Sequence, residues 1–189
     1  MRRWVPFSAT LAPVALIGGW TVAATRQPPA YDAVRDTISA LAAHGAHDRW
    51  VMTTGLVVLG GAHVATALGL TEARPVARVL LGVGGVSAAL VAALPQPSAG
   101  HFPVATTSFV ALAVWPAFAD LPDRRSGLLA SGGLAALLAW LGTEIGGGPL
   151  LGLSERVVAG AEALWPLAVV ALVSARSRRV SGWSRSPRD

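Results

Sequence analysis

Six stretches of about twenty mostly apolar residues, parted by short polar segments, leave this chain few ways to fold. As a helix rising 1.5 Å per residue, each is long enough to cross a hydrocarbon layer about 30 Å thick. Backbone groups inside lipid must be satisfied without water, so only helices or closed barrels cross, and uninterrupted runs of this length select helices. Spans are expected at Val5 to Ala24, Trp50 to Leu70, Val76 to Leu94, Phe102 to Leu121, Gly127 to Ile145 and Ser154 to Ala175, with Pro- and Gly-rich turns between them. Composition agrees, at 53% hydrophobic and 13% charged with a mean hydropathy of +0.55, against about a quarter charged in soluble domains. The expected architecture is all-α: a six-helix transmembrane bundle over residues 1–175 and a basic tail over 176–189, with a short amphipathic helix in the first loop.

Arginine placement orients the bundle, because positive loops stay in the cytoplasm. All 15 basic residues are Arg. Eleven of them, Arg2, Arg3, Arg74, Arg78, Arg124, Arg125, Arg176, Arg178, Arg179, Arg185 and Arg188, fall on one side, and only Arg26, Arg35, Arg49 and Arg156 on the other. Both termini are therefore expected in the cytoplasm. Arg2 and Arg3 before an apolar run that ends in Val22-Ala23-Ala24 also resemble a signal peptide. The run exceeds the usual signal core of about 7 to 15 residues, so it is read as a retained helix. Arg in place of Lys, with abundant Ala, Gly and Val, fits a GC-rich bacterial genome and hence a bacterial cytoplasmic membrane. The pI of 11.4 does not imply nucleic-acid binding, since the arginines lie in loops and tail rather than on one soluble face. With no cysteine, disulfides, thiolate metal sites and Cys nucleophiles are excluded.

The polar residues that look arranged lie in Tyr31 to Trp50. Laid on a helix at about 100° per residue, Asp32, Arg35, Asp36 and Ser39 share one side, opposite Val34, Thr37, Ile38 and Leu41. His44, His47, Asp48 and Arg49 follow at once. Three kinds of chemistry are open to this segment and its neighbours. His44, His47 and Asp48 with His101 carry the ligand types of a divalent metal site, although no HExxH-type spacing accompanies them. Ser39 could act as a nucleophile with His44 or His101 as base and Asp36 as orienting acid, although no nucleophile-elbow pattern surrounds it. The bland alternative is an outer polar cap in which Asp32, Arg35 and Asp36 form ion pairs, and Arg49 and Arg156 reach those carboxylates.

Within the spans, ionisable groups need partners. His63 lies in the middle of the second span, while Glu155 and Glu162 on the sixth share a face with Ala159 and Pro166. If His63 meets that seam, the pair is a proton relay or an acid-base site; otherwise it is an interhelical hydrogen bond. Gly55, Gly60, Gly61, Gly82, Gly85, Gly132 and Gly133 are expected to let helices approach closely. Trp115-Pro116 and Trp165-Pro166 recur at similar depth and predict a kink at each. Gly146-Gly147-Gly148 lacks the lysine of a phosphate loop, and a single intramembrane histidine argues against bis-histidine haem.

Tyr31-Asp32 with Arg35 to Leu41, Pro95 to His101, and Gly152, Arg156 and Trp165 together resemble the bacterial integral-membrane family labelled domain of unknown function 998. The resemblance covers nearly the whole chain. Relatives usually follow the Ile-Ser-x-Leu leucine with glycine, where this chain has Ala42. More remotely, the plan is similar to the Frag1, DRAM and Sfk1 group, some of whose members are tied to membrane-lipid organisation. The resemblance implies no reaction. The leading expectation is a membrane scaffold or lipid-interacting protein with an outward-facing polar pocket. The alternatives are a lipid-modifying enzyme using Asp36, Ser39, His44, His101 and Glu162, and a small proton-coupled carrier using His63 and Glu162. Expected partners are membrane lipids, anionic inner-leaflet lipid at the basic tail, and a second copy of the chain.

Overall fold

The computed structural model describes residues 1–121 and 123–183, with side chains as far as Ala175. Among the described residues there are seven helices and no strand: α1 (Val5–Ala24), α2 (Ile38–Ala42), α3 (Trp50–Gly69), α4 (Pro75–Ala93), α5 (His101–Ala119), α6 (Arg124–Glu144) and α7 (Leu151–Trp183). All but α2 contain a segment long and apolar enough to cross a membrane, in α7 over Leu151–Ala175. Local chemistry sets where they begin. Pro75 opens α4, where its missing N–H costs nothing. Asp123 caps α6 by accepting the Ser126 N–H at 2.9 Å, so that helix starts earlier than Gly127. At the far end α7 continues as helix to Trp183, past the expected boundary at Ala175. The side chains of residues 176–189, and with them the arginines expected to meet anionic lipid, lie outside the described residues.

The six long helices pack in chain order, and α7 returns to α1 to close a ring across which α5 and α7 also touch. The ring is apolar outside as well as in: Phe7 is 71%, Leu129 68% and Leu68 65% exposed. Such a surface suits lipid. Between helices the contacts are made by small residues and hydroxyls. A Cβ on Gly85 would come within 2.7 Å of the Gly60 carbonyl oxygen, and one on Gly55 within 3.0 Å of the Ala15 carbonyl oxygen. The other expected packing glycines do not serve this way. Gly61, Gly132 and Gly133 have open space at the Cβ position, and Gly82 meets only the Ala67 methyl at 3.8 Å. Ser8 and Thr66 hydroxyls join α1 to α3 at 2.8 Å, and the Ser108 hydroxyl donates across to Gly84 O on α4 at 3.0 Å.

Both α5 and α7 run as helix through Pro116 and Pro166. Beside Pro116 the Ala117 N–H donates to the Ser131 hydroxyl of α6 at 2.9 Å. A neighbouring helix thus supplies the acceptor. At the end of the bundle where α3 stops, Arg78 caps the last turn of that helix, donating to Ala67 O at 2.7 Å and Leu68 O at 2.9 Å.

Candidate functional site

The segment before α2 is not the two-faced helix that its periodicity predicts. Tyr31 to Thr37 forms turns, and only Ile38–Ala42 is helical. Short polar side chains take the backbone donors that a helix would need. Asp32 Oδ1 accepts the Val34 N–H at 2.8 Å, Asp36 Oδ2 accepts the Asp32 N–H at 2.8 Å, and the Thr37 hydroxyl caps α2 by accepting the Ala40 N–H at 3.0 Å. Arg35 pairs with Asp32 at 3.7 Å, the expected ion pair, on an exposed surface.

Arg156 on α7 holds this turn, by carbonyls rather than by the carboxylates expected. Its Nη1 donates to Ala33 O at 2.7 Å, Asp36 O at 2.8 Å and Gly152 O at 2.9 Å, and its Nη2 donates to the Tyr31 hydroxyl. Leu153 N–H adds a bond to Val34 O at 2.9 Å. Gly152 makes the approach possible, since a Cβ there would overlap Asp36 O and sit 2.7 Å from Ala33 O. Partial burial raises the Tyr31 phenol above its ordinary value, against the lowering effect of Arg156.

The next links run inward. Glu155 is buried and accepts the Ile38 N–H and, at 3.2 Å, the Ser39 hydroxyl. α2 therefore hangs from α7 by a carboxylate as well as by Arg156. Beneath it lies a cavity of about 50 Å³. Its polar lining is Ser39 from α2, His63 from α3, Ser108 from α5, and Glu155 and Glu162 from α7; the rest is apolar, including Leu59, Phe109 and Ala159. His63 and the acidic seam of α7 line the same cavity. The interhelical hydrogen bond that would have made the pair structural is not formed. His63 is 0% and Glu162 1% exposed, and neither ring nitrogen of His63 nor Oε1 of Glu162 has a hydrogen-bond partner. Buried polar atoms left unpaired in this way are uncommon and each calls for an explanation.

The other expected groups stay apart from this cavity. His101 is buried, but its Nδ1 bonds Leu94 O at 2.9 Å and so closes the end of α4. His44 Nδ1 lies 3.2 Å from Arg49 Nη1, while Arg49 Nε donates to Ala42 O at 3.3 Å, so Arg49 serves the end of α2 rather than Asp32 or Asp36. The backbone N–H and C=O of His47 bond the Gln27 side chain at 3.2 and 2.8 Å. Asp48 accepts from Arg26 at 2.8 Å and from the Trp50 indole at 3.3 Å, and the Arg26 bond holds its carboxyl below the usual range. No three His, Asp or Glu among the described residues gather closely enough to hold a metal ion, so His44, His47, Asp48 and His101 do not form a ligand set. Nor does a hydrogen bond join Ser39 to Asp36, His44 or His101: its hydroxyl is engaged with Glu155. Ser108 escaped the sequence reading, because one hydroxyl does not interrupt an apolar run. Tyr31 was marked there, but not its bond to Arg156, which needs a partner from α7, far along the chain.

A family model described as protein of unknown function (DUF998) matches residues 10–172. The chain belongs to this family. That match takes in every cavity-lining residue of the DUF998 chain, from Leu16 to Ala163. No curated protein and no solved structure matches the chain. Membership in this family, with six helices long and apolar enough to cross a membrane, fits a multi-pass membrane protein, and the family description assigns no activity.

Proposed function

We propose that this DUF998 protein is a non-catalytic, lipid-interacting membrane protein whose cavity receives the polar end of a ligand dissolved in the bilayer. One observation carries the reading: His63 and Glu162, from different helices and buried, present unpaired polar atoms in a mostly apolar cavity. An ionisable pair inside a membrane is costly to keep, and a mostly apolar pocket with a few convergent polar groups is what small-ligand sites look like. The arginine distribution supports a cavity nearest the extracytoplasmic side, with both termini in the cytoplasm of a bacterial cell. The hydrogen bonds favour binding over catalysis, because Ser39 is held by Glu155 rather than by an imidazole.

Native mass spectrometry of the full chain, released from nanodiscs, tests this. The wild-type protein is expected to retain a bound small molecule or lipid. Ala159→Phe, which fills the cavity from α7, is expected to lose it while keeping its helical circular dichroism. Equal retention by both proteins, or retention by neither, would overturn the reading.

A further inference from the structure

The hydrogen-bonding capacity left over in the cavity specifies the kind of group it takes. Each polar residue on the wall can be counted by donor and acceptor. Glu155 already receives Ile38 N–H and the Ser39 hydroxyl. Ser39 and Ser108 have spent their only protons, on Glu155 and on Gly84 O, so what they still offer is lone pairs. Glu162 Oε1 is free, and its carboxyl only accepts when an arriving cation holds it ionised. His63 has both ring nitrogens free, which in a neutral imidazole means one acceptor and one donor. With both carboxyl groups in that ionised form, acceptors outnumber donors, and the one free donor is an imidazole N–H.

Charge points the same way. The cavity wall carries two glutamates and no arginine, and Phe109 adds an aromatic ring. An anionic phosphate would face carboxyl groups with no cation to receive it, at a cost that burial enlarges. A protonated primary amine brings three N–H donors and a positive charge, and so fits both the acceptors and the carboxylates. Size agrees, since about 50 Å³ exceeds the roughly 10–15 Å³ needed by one water and suits a compact head rather than a whole phospholipid headgroup.

We propose that the cavity is an ammonium site, in which Glu162 and His63 receive the protonated primary amine of a small amine or of an amphiphile, with the Ser39 and Ser108 hydroxyl oxygens as further acceptors. The proposal rests on the ligand-pocket reading above and narrows it to a chemical class.

A hydrophobic carbodiimide adds to a protonated carboxyl group in apolar surroundings, so its attachment to Glu162, followed by peptide mass spectrometry on the full chain in nanodiscs, reports whether that carboxyl is empty and neutral or covered by a cation. Four probes are compared: methylammonium, dodecylammonium, dodecyl phosphate and dodecanol. Ammonium probes are expected to slow labelling of Glu162 about tenfold when present at about ten times their dissociation constant, with the phosphate and the alcohol without effect. Protection by methylammonium as well as dodecylammonium identifies a free small amine as sufficient; protection by dodecylammonium alone identifies an amphiphile's head. Equal protection by all three dodecyl compounds would sink the ammonium assignment while leaving the ligand pocket standing. Protection by none would remove both. A parallel measurement covers a Glu162 that does not react: dodecylammonium should raise the melting temperature of the wild type and not of Glu162→Gln, and equal shifts in the two proteins would refute the site.

Discussion

Tyr31 is the only tyrosine in the chain, so its phenol can be followed without interference. Its folded-state value is raised, chiefly by burial. A raised value for an acid means that folding favours the neutral form: stability is unaffected while the phenol is protonated in both states and falls as pH rises above about 10, the ordinary tyrosine value. Phenolate absorbance of the folded protein should therefore develop at higher pH than in the denatured chain, and Tyr31→Phe should blunt the alkaline loss of stability. A midpoint equal to that of the denatured chain would show that the Arg156 contact does not shelter the ring. Gly152 allows a second test at this scale. A methyl there collides with Asp36 O, so Gly152→Ala should cost about 1–3 kcal/mol, the usual range for overpacking. The turn from Pro28 to Thr37 should then be cut faster in limited proteolysis. Glu162 gives the opposite sign. Replacing an unpaired buried carboxyl by an apolar group of similar size removes a desolvation cost, so Glu162→Met should stabilise the ligand-free protein by about 1–3 kcal/mol in thermal unfolding. A loss of stability would mean that Glu162 is there to hold the helices together.

At the scale of elements, α3 and α4 meet backbone to backbone at Gly60 and Gly85. Gly60→Val is expected to cost about 1–3 kcal/mol or more, because the Gly85 carbonyl cannot move without its helix. Gly132→Val on α6, with nothing near its Cβ, should be close to neutral in the isolated chain. Equal losses at the two sites would contradict the packing described. This is also where sequence and structure part company. The long helices were legible because twenty apolar residues have one solution in lipid; starts shifted where Pro75 or Asp123 supplied a local cap, and the largest change is in α7, which begins at Leu151 and runs on to Trp183. The glycines were half legible: pattern shows that a residue is small, but only position shows whether another helix is beside it. The first-loop helix was misread over Tyr31 to Thr37 because angular spacing ignores the competition of Asp32, Asp36 and Thr37 side chains for backbone N–H groups. Within the site, Glu155, Glu162 and His63 could be picked out as costly residues in a membrane, whereas the Ser39 bond to Glu155 and the separateness of His101 depend on distances that spacing along a chain does not contain.

For the whole molecule, the absence of cysteine turns topology into a clean measurement, since any introduced thiol is unique. Ala46→Cys, in the first loop, should react with an impermeant maleimide in intact cells, and Thr71→Cys, at the other end of the ring, should react only after the membrane is opened. The reverse result would invert the proposed orientation and place the cavity nearest the cytoplasmic side. The suspension of α2 from α7 has a mechanical corollary. Because Glu155 and Arg156 bind the first loop to the same helix that carries Glu162, the roof and one wall of the chamber travel as a single piece. On the ligand-pocket reading, admission of a guest calls for this piece to move against the helices that supply the other walls, among them α5 with Ala105, Ser108 and Phe109. On that reading the moving part is a seam between long helices rather than a flap at the surface.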